Sequence, residues 1–460
     1  MAASINTTVR AEPPPGLKAL IDHCLGVYPD QPNPLQVTTV LKYWLGGQDP
    51  LDYISMYLNI GDQERGIPAH WHYISFGLSD LHGDGRVHVA EPAIEGVRTS
   101  GLGFELTFRL LKTPNTSGDE KQDRPPTWPA NLLQALARYC FQTGNRFYAG
   151  DNVPWRKALD GSNSIIQNIL LAQDSQFGPL ESPFGTVEFC QVVGVTEEEI
   201  EQASRWNGKG VLNFLMQDTK TGGNFLVTDM SRSQSVFDLF PETLLSLLDD
   251  IEKQGSDLAG VNADFTFREI PKQNFKEEID SESLNEQCLS QENNSQQNDP
   301  IRESNEFLQS MSVCNSLQKS CPLNYQPNAP NCIPLDGIEI TLAPYAAKFL
   351  LLSIKDRIRH GRHFTFKSQN LALTFVAESV TGSAVTKDFP FGVLGYWIQI
   401  MITDDLVPRM IETFQNSLNP SIEIKEKLEF EFPDKSLKII IASPQQQQQQ
   451  HQSSANAESK

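Results

Sequence analysis

The clearest alternation of hydrophobic and polar positions lies in Gly103–Lys112. Phe104, Leu106, Phe108 and Leu110 alternate with Glu105, Thr107 and Arg109. Period two with a polar side predicts a strand with one wet face. Gly260–Arg268 repeats the pattern, with Val261, Ala263, Phe265 and Phe267 set against Asn262, Asp264 and Thr266. Shorter runs predict strands at Tyr73–Leu78, Arg86–Val89, Thr186–Val193, Phe225–Thr228, Gly337–Leu342, His363–Lys367, Ala372–Ala377 and Trp397–Thr403. Lys427–Phe432 and Leu437–Ala442 read as a hairpin. Helical spacing and stop signals predict helices at Pro34–Leu45, ended by Gly46-Gly47, and at Pro129–Gln142, ended by Gly144. Pro241–Lys253, Pro344–Arg357 and Asp405–Leu418 read the same way. Thr196 and Glu199 form a capping box that opens a helix running to Trp206. Strands and helices are interspersed without βαβ spacing, so the fold class is α+β.

At 460 residues the chain is too long for one ordinary domain. Pro271–Pro334 is rich in Ser, Asn, Gln and acids, lacks Trp and shows little periodicity, which predicts a long disordered acidic insert. The glutamine-rich tail, 444–460, is low-complexity in the same sense. What remains is an N-terminal domain over 15–255 and a C-terminal domain made of 258–270 and 335–443. Lys+Arg 37 against Asp+Glu 57 gives a net charge of −20. That charge argues against direct binding to nucleic acid or to an anionic membrane surface. The first sixteen residues hold no apolar signal core, and no apolar run approaches the roughly 18 residues of a spanning helix. Seven scattered cysteines, none in a CxxC pair, fit a reducing compartment.

Chemistry is sparse. The chain has no phosphate-binding glycine loop, nucleophile elbow or HExxH motif. The one histidine grouping that invites a metal is His70-Trp71-His72 with His82 and His88 downstream. On a strand, His70 and His72 share a face and, with a third donor, could hold zinc. An enzyme with a divergent metal site there is therefore the rival to a binding protein. The bland account of the same residues is a polar edge beside a buried Trp71. His360-Gly361-Arg362-His363 is explained by cations at a helix C-terminus.

Several long strings resemble the Suppressor of fused family, negative regulators of Hedgehog signalling. They are YPDQPNPLQVTTVLKYWLGGQDPLDYISMY (28–57), HWHYISFGLSDLHGDGRVH (70–88), GFELTFRL (103–110), PPTWPANLLQALARYCFQ (125–142), RWNGKG (205–210) and HGRHFTFKS (360–368). Together they span both predicted domains. The polyglutamine tail is not part of the family pattern and points to an insect-type member.

The resemblance implies two mixed α/β domains joined by a hinge, with the disordered insertion in the second, and Gly260–Arg268 belonging to that second domain. It implies a monomer without catalytic activity or cofactor, present in cytoplasm and nucleus. Its expected partners are a Gli or Cubitus interruptus-type zinc-finger transcription factor and the Fused kinase. A short SYGHL-containing segment of the factor would lie extended between the domains, paired as a strand with an edge of each. The first edge would be Asn145–Val153, where Gly150 permits close backbone approach and Asp151 meets the partner histidine. Tyr139 and Phe147 would line the cleft. The second edge would bring Val261 and Ala263. Tyr345 and Phe349 stand where the family has an acid and a leucine, so Tyr345 cannot act as a carboxylate. Without the resemblance, Tyr139 reads as core and Asp151 as an ordinary turn acid. Gly255 and Gly260 are the expected hinge, and Ser283, three residues before Glu286, is a candidate phosphorylation site in the insert.

Overall fold

Buried on both faces, Gly103–Lys112 departs from its own alternation: the polar residues Glu105, Thr107 and Arg109 are as inaccessible as Leu106 and Phe108. The computed structural model describes residues 12–89, 98–113, 124–271, 332–418 and 427–442, and these divide into two units between Leu245 and Ser246. The insert from 272 to 331, with Ser283, and the tail from 443 lie outside the described residues.

The first unit is built on an eight-stranded sheet. Its strands are β1 (Leu35–Thr38), β2 (Tyr53–Asn59), β3 (His70–Phe76), β4 (Thr99–Leu111), β5 (Asn152–Val153), β6 (Asn168–Gln173), β7 (Leu180–Ser182) and β8 (Gly185–Val195). The order is β1-β2-β3-β4-β8-β6-β5, with β7 paired to β8, and only β4–β8 is parallel. Helix α1 (Pro15–Val27) covers one face, where Leu20, Cys24 and Tyr28 pack with Ile74, Phe76, Phe177 and Phe189. Helix α2 (Trp128–Thr143) supplies Trp128 to the other, edge-on to Phe108 at 5.4 Å. With helices on both sides, the stretch Phe104–Leu110 of β4 is buried on both faces.

The predicted capping box is present: Thr196 accepts from the Glu199 amide, and the Glu199 carboxylate accepts from the Thr196 amide, opening α3 (Glu197–Arg205). Three other expectations change. Pro34–Leu45 is not a helix; Leu35–Thr38 forms β1 and only Tyr43–Leu45 makes a 3₁₀ turn. Pairing with β2 supplies the hydrogen bonds that a helix of that length could not hold alone. Arg86–Val89 is irregular. Phe225–Thr228 is a 3₁₀ turn at Gly223–Phe225 followed by Leu226 at φ 50°, leaving a single bridge from Thr228 to Leu110.

The second unit holds two sheets around one core. β10 (Phe265–Glu269), β12 (Ile338–Leu342), β18 (Leu437–Ile441) and β17 (Leu428–Phe432) lie in that order. The other sheet runs β11 (Ile333–Pro334), β15 (Phe391–Leu394), β16 (Trp397–Ile402), β14 (Ala372–Ala377), β13 (His363–Lys367) and β9 (Gly260–Asn262). Leu350, Ile354, Phe364, Phe375, Ile400, Met410, Phe414 and Ile439, from strands and helices alike, are buried in that core. Two boundaries shift. Gly260–Arg268 is two strands in two sheets, and Ile333–Pro334, read as insert, pairs with Val393 and Gly392. The expected hinge glycines both lie in the second unit, past the division at Leu245 and Ser246. Gly255, at φ 75°, has the Asp356 carbonyl 2.5 Å from where a Cβ would stand, and Gly260 pairs with Thr365.

Candidate functional site

The two segments marked as partner edges each end a sheet. In the first unit, α2 stops at Gly144, which takes φ 72°. The chain then turns back on the helix. Asn145 donates its side-chain N–H to the Tyr139 phenol at 3.1 Å, and Phe147 stacks on the Tyr139 ring at 5.5 Å. Both rings are buried, so they form the floor of this edge and not its surface. Tyr148 is the exposed aromatic above them. It is absent from the site predicted from the sequence, although it lies inside the same string. The Asp151 carboxylate accepts from the Tyr148 amide at 2.9 Å, closing a turn. Gly150 donates to Leu171 O at 2.7 Å, and Leu171 donates to Asp151 O at 2.9 Å. β5 follows as the terminal strand of the sheet, shorter than the predicted 145–153.

The RWNGKG string explains how this edge is held. Asn207 caps α4 (Gly208–Met216), accepting from the Gly210 amide. A Cβ on Gly208 would stand 2.2 Å from the Gly150 carbonyl oxygen, and one on Gly210 would stand 2.0 Å from the Trp206 ring. Gly208→Ala is therefore expected to push the Gly150 turn aside. It should cost about 1–3 kcal/mol in urea unfolding and slow hydrogen exchange nowhere in the turn. Unchanged stability would mean that the two backbones are not in contact.

In the second unit, β9 pairs in parallel with β13, Val261 opposite Phe366, and ends its sheet. Ala263 is buried and donates to Lys367 O at 2.8 Å. The chain then crosses to the other sheet, and the Asp264 amide donates to the Tyr345 phenol oxygen at 2.7 Å. Tyr345 thus braces the crossover, with its ring half exposed. Burial raises its phenol pKa; the Asp264 amide hydrogen bond opposes that rise and the Asp264 carboxylate adds to it. Phe349 lies half-buried against the core, with Lys348 Nζ 5.1 Å from its ring.

The histidines of the rival reading belong to a different construction. His70 Nδ1 donates to Pro68 O at 2.8 Å, and its Nε2 accepts from Arg109 at 2.9 Å. His72 Nε2 donates to Asp174 at 3.1 Å, and its Nδ1 accepts from Tyr28 at 2.8 Å. His88 donates to Gly77 O at 3.0 Å, and His82 Nε2 stands 3.6 Å from Asp52. A guanidinium occupies the side of His70 that a metal would need. Among the described residues no group of three or more His, Cys, Asp or Glu could hold a metal ion. The sequence-based metal site is therefore corrected: His70, His72 and His88 make structural hydrogen bonds, and His82 Nε2 is buried near Asp52 without a hydrogen-bond partner.

Burial, followed by the Arg109 charge, pushes the His70 pKa down to about 3 and the His72 pKa to about 4. Burial alone would raise Asp174, but His72 and Arg109 hold its carboxyl far below the usual range. Between about 4 and 6.5 the unfolded chain carries protons on these imidazoles that the folded one refuses. Stability must fall as pH drops through that window, by up to about 1.4 kcal/mol per unit per histidine. Glu105, whose carboxyl burial raises, acts with the opposite sign just above its ordinary pKa. The urea midpoint should be lower at pH 5 than at pH 7. Equal midpoints would contradict neutral, buried imidazoles.

Two family descriptions match the chain: "Suppressor of fused protein (SUFU)" over residues 47–233, and "Suppressor of Fused Gli/Ci N terminal binding domain" over 246–441. The Suppressor of fused homologs of Mus musculus and Homo sapiens are each 40% identical over 455 residues, 93% of this chain and 91% of theirs. The crystal structure of Drosophila Suppressor of Fused is similar at 63% identity and a TM-score of 0.80, covering 94% of this chain and 98% of that chain.

Proposed function

The chain belongs to the Suppressor of fused family of Hedgehog-pathway regulators, and from that premise we propose that it is a non-enzymatic clamp for a transcription factor. Its partner is a Gli or Cubitus interruptus-type factor, held through an SYGHL-containing segment that pairs with β5 of the first unit and β9 of the second. The observation that carries this reading is the position of both segments: each is the terminal strand of its sheet. Main-chain hydrogen bonds to such edges give affinity, and side chains beside them give register. Tyr148, Gly150 and Asp151 present the first edge over the Tyr139–Phe147 floor. Val261 and Ala263 present the second, with Tyr345 and Phe349 beside it.

Holding the factor keeps it in the cytoplasm and restrains it in the nucleus, which is the negative regulation. The Fused kinase is the second partner, and the Ser283 region of the insert is the phosphorylated handle. Calorimetric titration with an SYGHL-containing peptide tests the central part. Saturable one-to-one binding, lost when the same residues are scrambled, is expected. Equal binding of the scrambled peptide would sink the reading.

A further inference from the structure

The turn that leads into β5 has a lysine laid along it. A Cβ on Gly150 would stand 3.1 Å from Lys209 Cγ, 3.4 Å from its Cε and 3.7 Å from its Cδ. Three atoms of one stem therefore run beside the Gly150 backbone, where glycine leaves them room. Gly150 itself takes φ 100°, in the left-handed region that favours glycine. The stem starts where α4 is pinned, since the Gly208 backbone lies against the Gly150 carbonyl. Lysine commonly lays its methylenes on a surface and leaves the ammonium in water. Lys209 is exposed, and among the described residues its ammonium has neither an ion pair nor a hydrogen bond. Elsewhere on this acidic chain Lys18, Lys42, Lys253, Lys355 and Lys435 each hold a carboxylate. The acid of the turn itself, Asp151, accepts from the Tyr148 amide and makes no ion pair with Lys209.

We propose that Lys209 is a specificity residue of the first edge, taking a carboxylate of the segment that pairs with β5. The inference rests on the reading of β5 as a partner edge and adds to it the charge that the partner carries. Packing along Gly150 already restricts the stem, so the ammonium loses less freedom on meeting an anion than a lysine free in water would. Its single charge matches a carboxylate. A phosphate dianion beside it would also face the Asp151 carboxylate and be repelled. Reach fixes the position. Gly150 and Asp151 are consecutive, with Cα atoms about 3.8 Å apart, close to one residue's advance along a strand. The carboxylate therefore stands within about two residues of the histidine assigned to Asp151. The edge then reads both signs, a cation at Asp151 and an anion at Lys209. A segment with lysine in place of the acid brings two ammonium groups together.

The test uses the full chain and fluorescent peptides that contain SYGHL and differ only in the residue after it, two past the histidine: glutamate, glutamine or lysine. A second set puts the same three residues in place of the tyrosine, two before the histidine, and covers the opposite strand direction. In one of the two sets the glutamate peptide should bind at least about threefold more tightly than the lysine peptide. Lys209→Met keeps a stem along Gly150 without the charge and should remove that preference, and Lys209→Glu should reverse it. The net charge of −20 favours lysine peptides in every variant, so the change in the ratio between variants reads the contact. SYGHL peptides that bind with the same glutamate-to-lysine ratio to wild type and Lys209→Met, in both sets, would overturn the proposal and leave the β5 edge standing. Absence of SYGHL binding altogether would remove both.

Discussion

Replacing Arg109 by methionine is expected to destabilise the first unit by about 3–5 kcal/mol. Arg109 is fully buried in the middle of β4. Its guanidinium donates to Asp174 at 2.8 Å, Gln176 at 2.7 Å, His70 at 2.9 Å and Gln191 at 3.2 Å. Methionine fills much of the volume but leaves the Asp174 carboxylate without its cation. Asp174 still accepts from Thr107 and from the Gln176 and Phe177 amides. Those bonds orient a buried anion without neutralising it. The double change Arg109→Met with Asp174→Asn should therefore recover part of the loss, since asparagine keeps an acceptor oxygen and carries no charge. Tryptophan fluorescence in urea is a suitable probe, because Trp44, Trp71, Trp128, Trp155 and Trp206 all lie in the first unit. A loss below about 1 kcal/mol for the single change would contradict a buried, ionised pair.

Asp151→Arg is expected to weaken the SYGHL peptide by roughly 2–5 kcal/mol while the protein stays folded. The proposed role of Asp151 is to meet the partner histidine, where its carboxylate makes a charge-assisted contact. Arginine removes the carboxylate and brings a like charge to the imidazole. The same change also removes the acceptor for the Tyr148 amide, so the turn itself can loosen. Asp151→Asn separates the two effects: it keeps an oxygen for Tyr148 and loses only the charge. An asparagine variant intermediate between wild type and arginine supports a direct contact. Equal affinity of all three, each folded, would remove Asp151 from the site.

The fold class was legible because most elements declare themselves locally. The Thr196–Glu199 box, the Gly144 stop and the alternation along β4 all appear where the sequence puts them. What the alternation could not give is the environment of the polar side. Glu105, Thr107 and Arg109 read as wet, yet Glu105 accepts from Ser75, Ser79 and the amides of Gly77 and Ser79 in a closed site. Buried polar residues satisfied by one another look like surface residues to any period-two count. Pro34–Leu45 failed for another reason: its apolar spacing fits a helix, but pairing of this edge with β2, about 15–21 residues further on, decides the outcome. Gly260–Arg268 has one unbroken alternation because the chain stays extended while it changes sheets at Ala263–Asp264, and Tyr345, far along the sequence, braces that change.

The proposed site residues rest on the family likeness alone. Tyr139 and Phe147 have the spacing of core residues, and they are core. Nothing in the local pattern of Gly150 announces that the Gly208 backbone lies against it. Tyr148 could have been found as an aromatic in a glycine-containing turn, the one local signal that an exposed ring was at hand.

The most direct test is residue-resolved hydrogen exchange on the full chain at saturating SYGHL peptide. Pairing with both terminal strands predicts slowed exchange at 150–153 and at 260–263 together, with 35–38 unaffected. Protection at only one of the two edges, or at neither while the peptide is bound, would contradict the clamp.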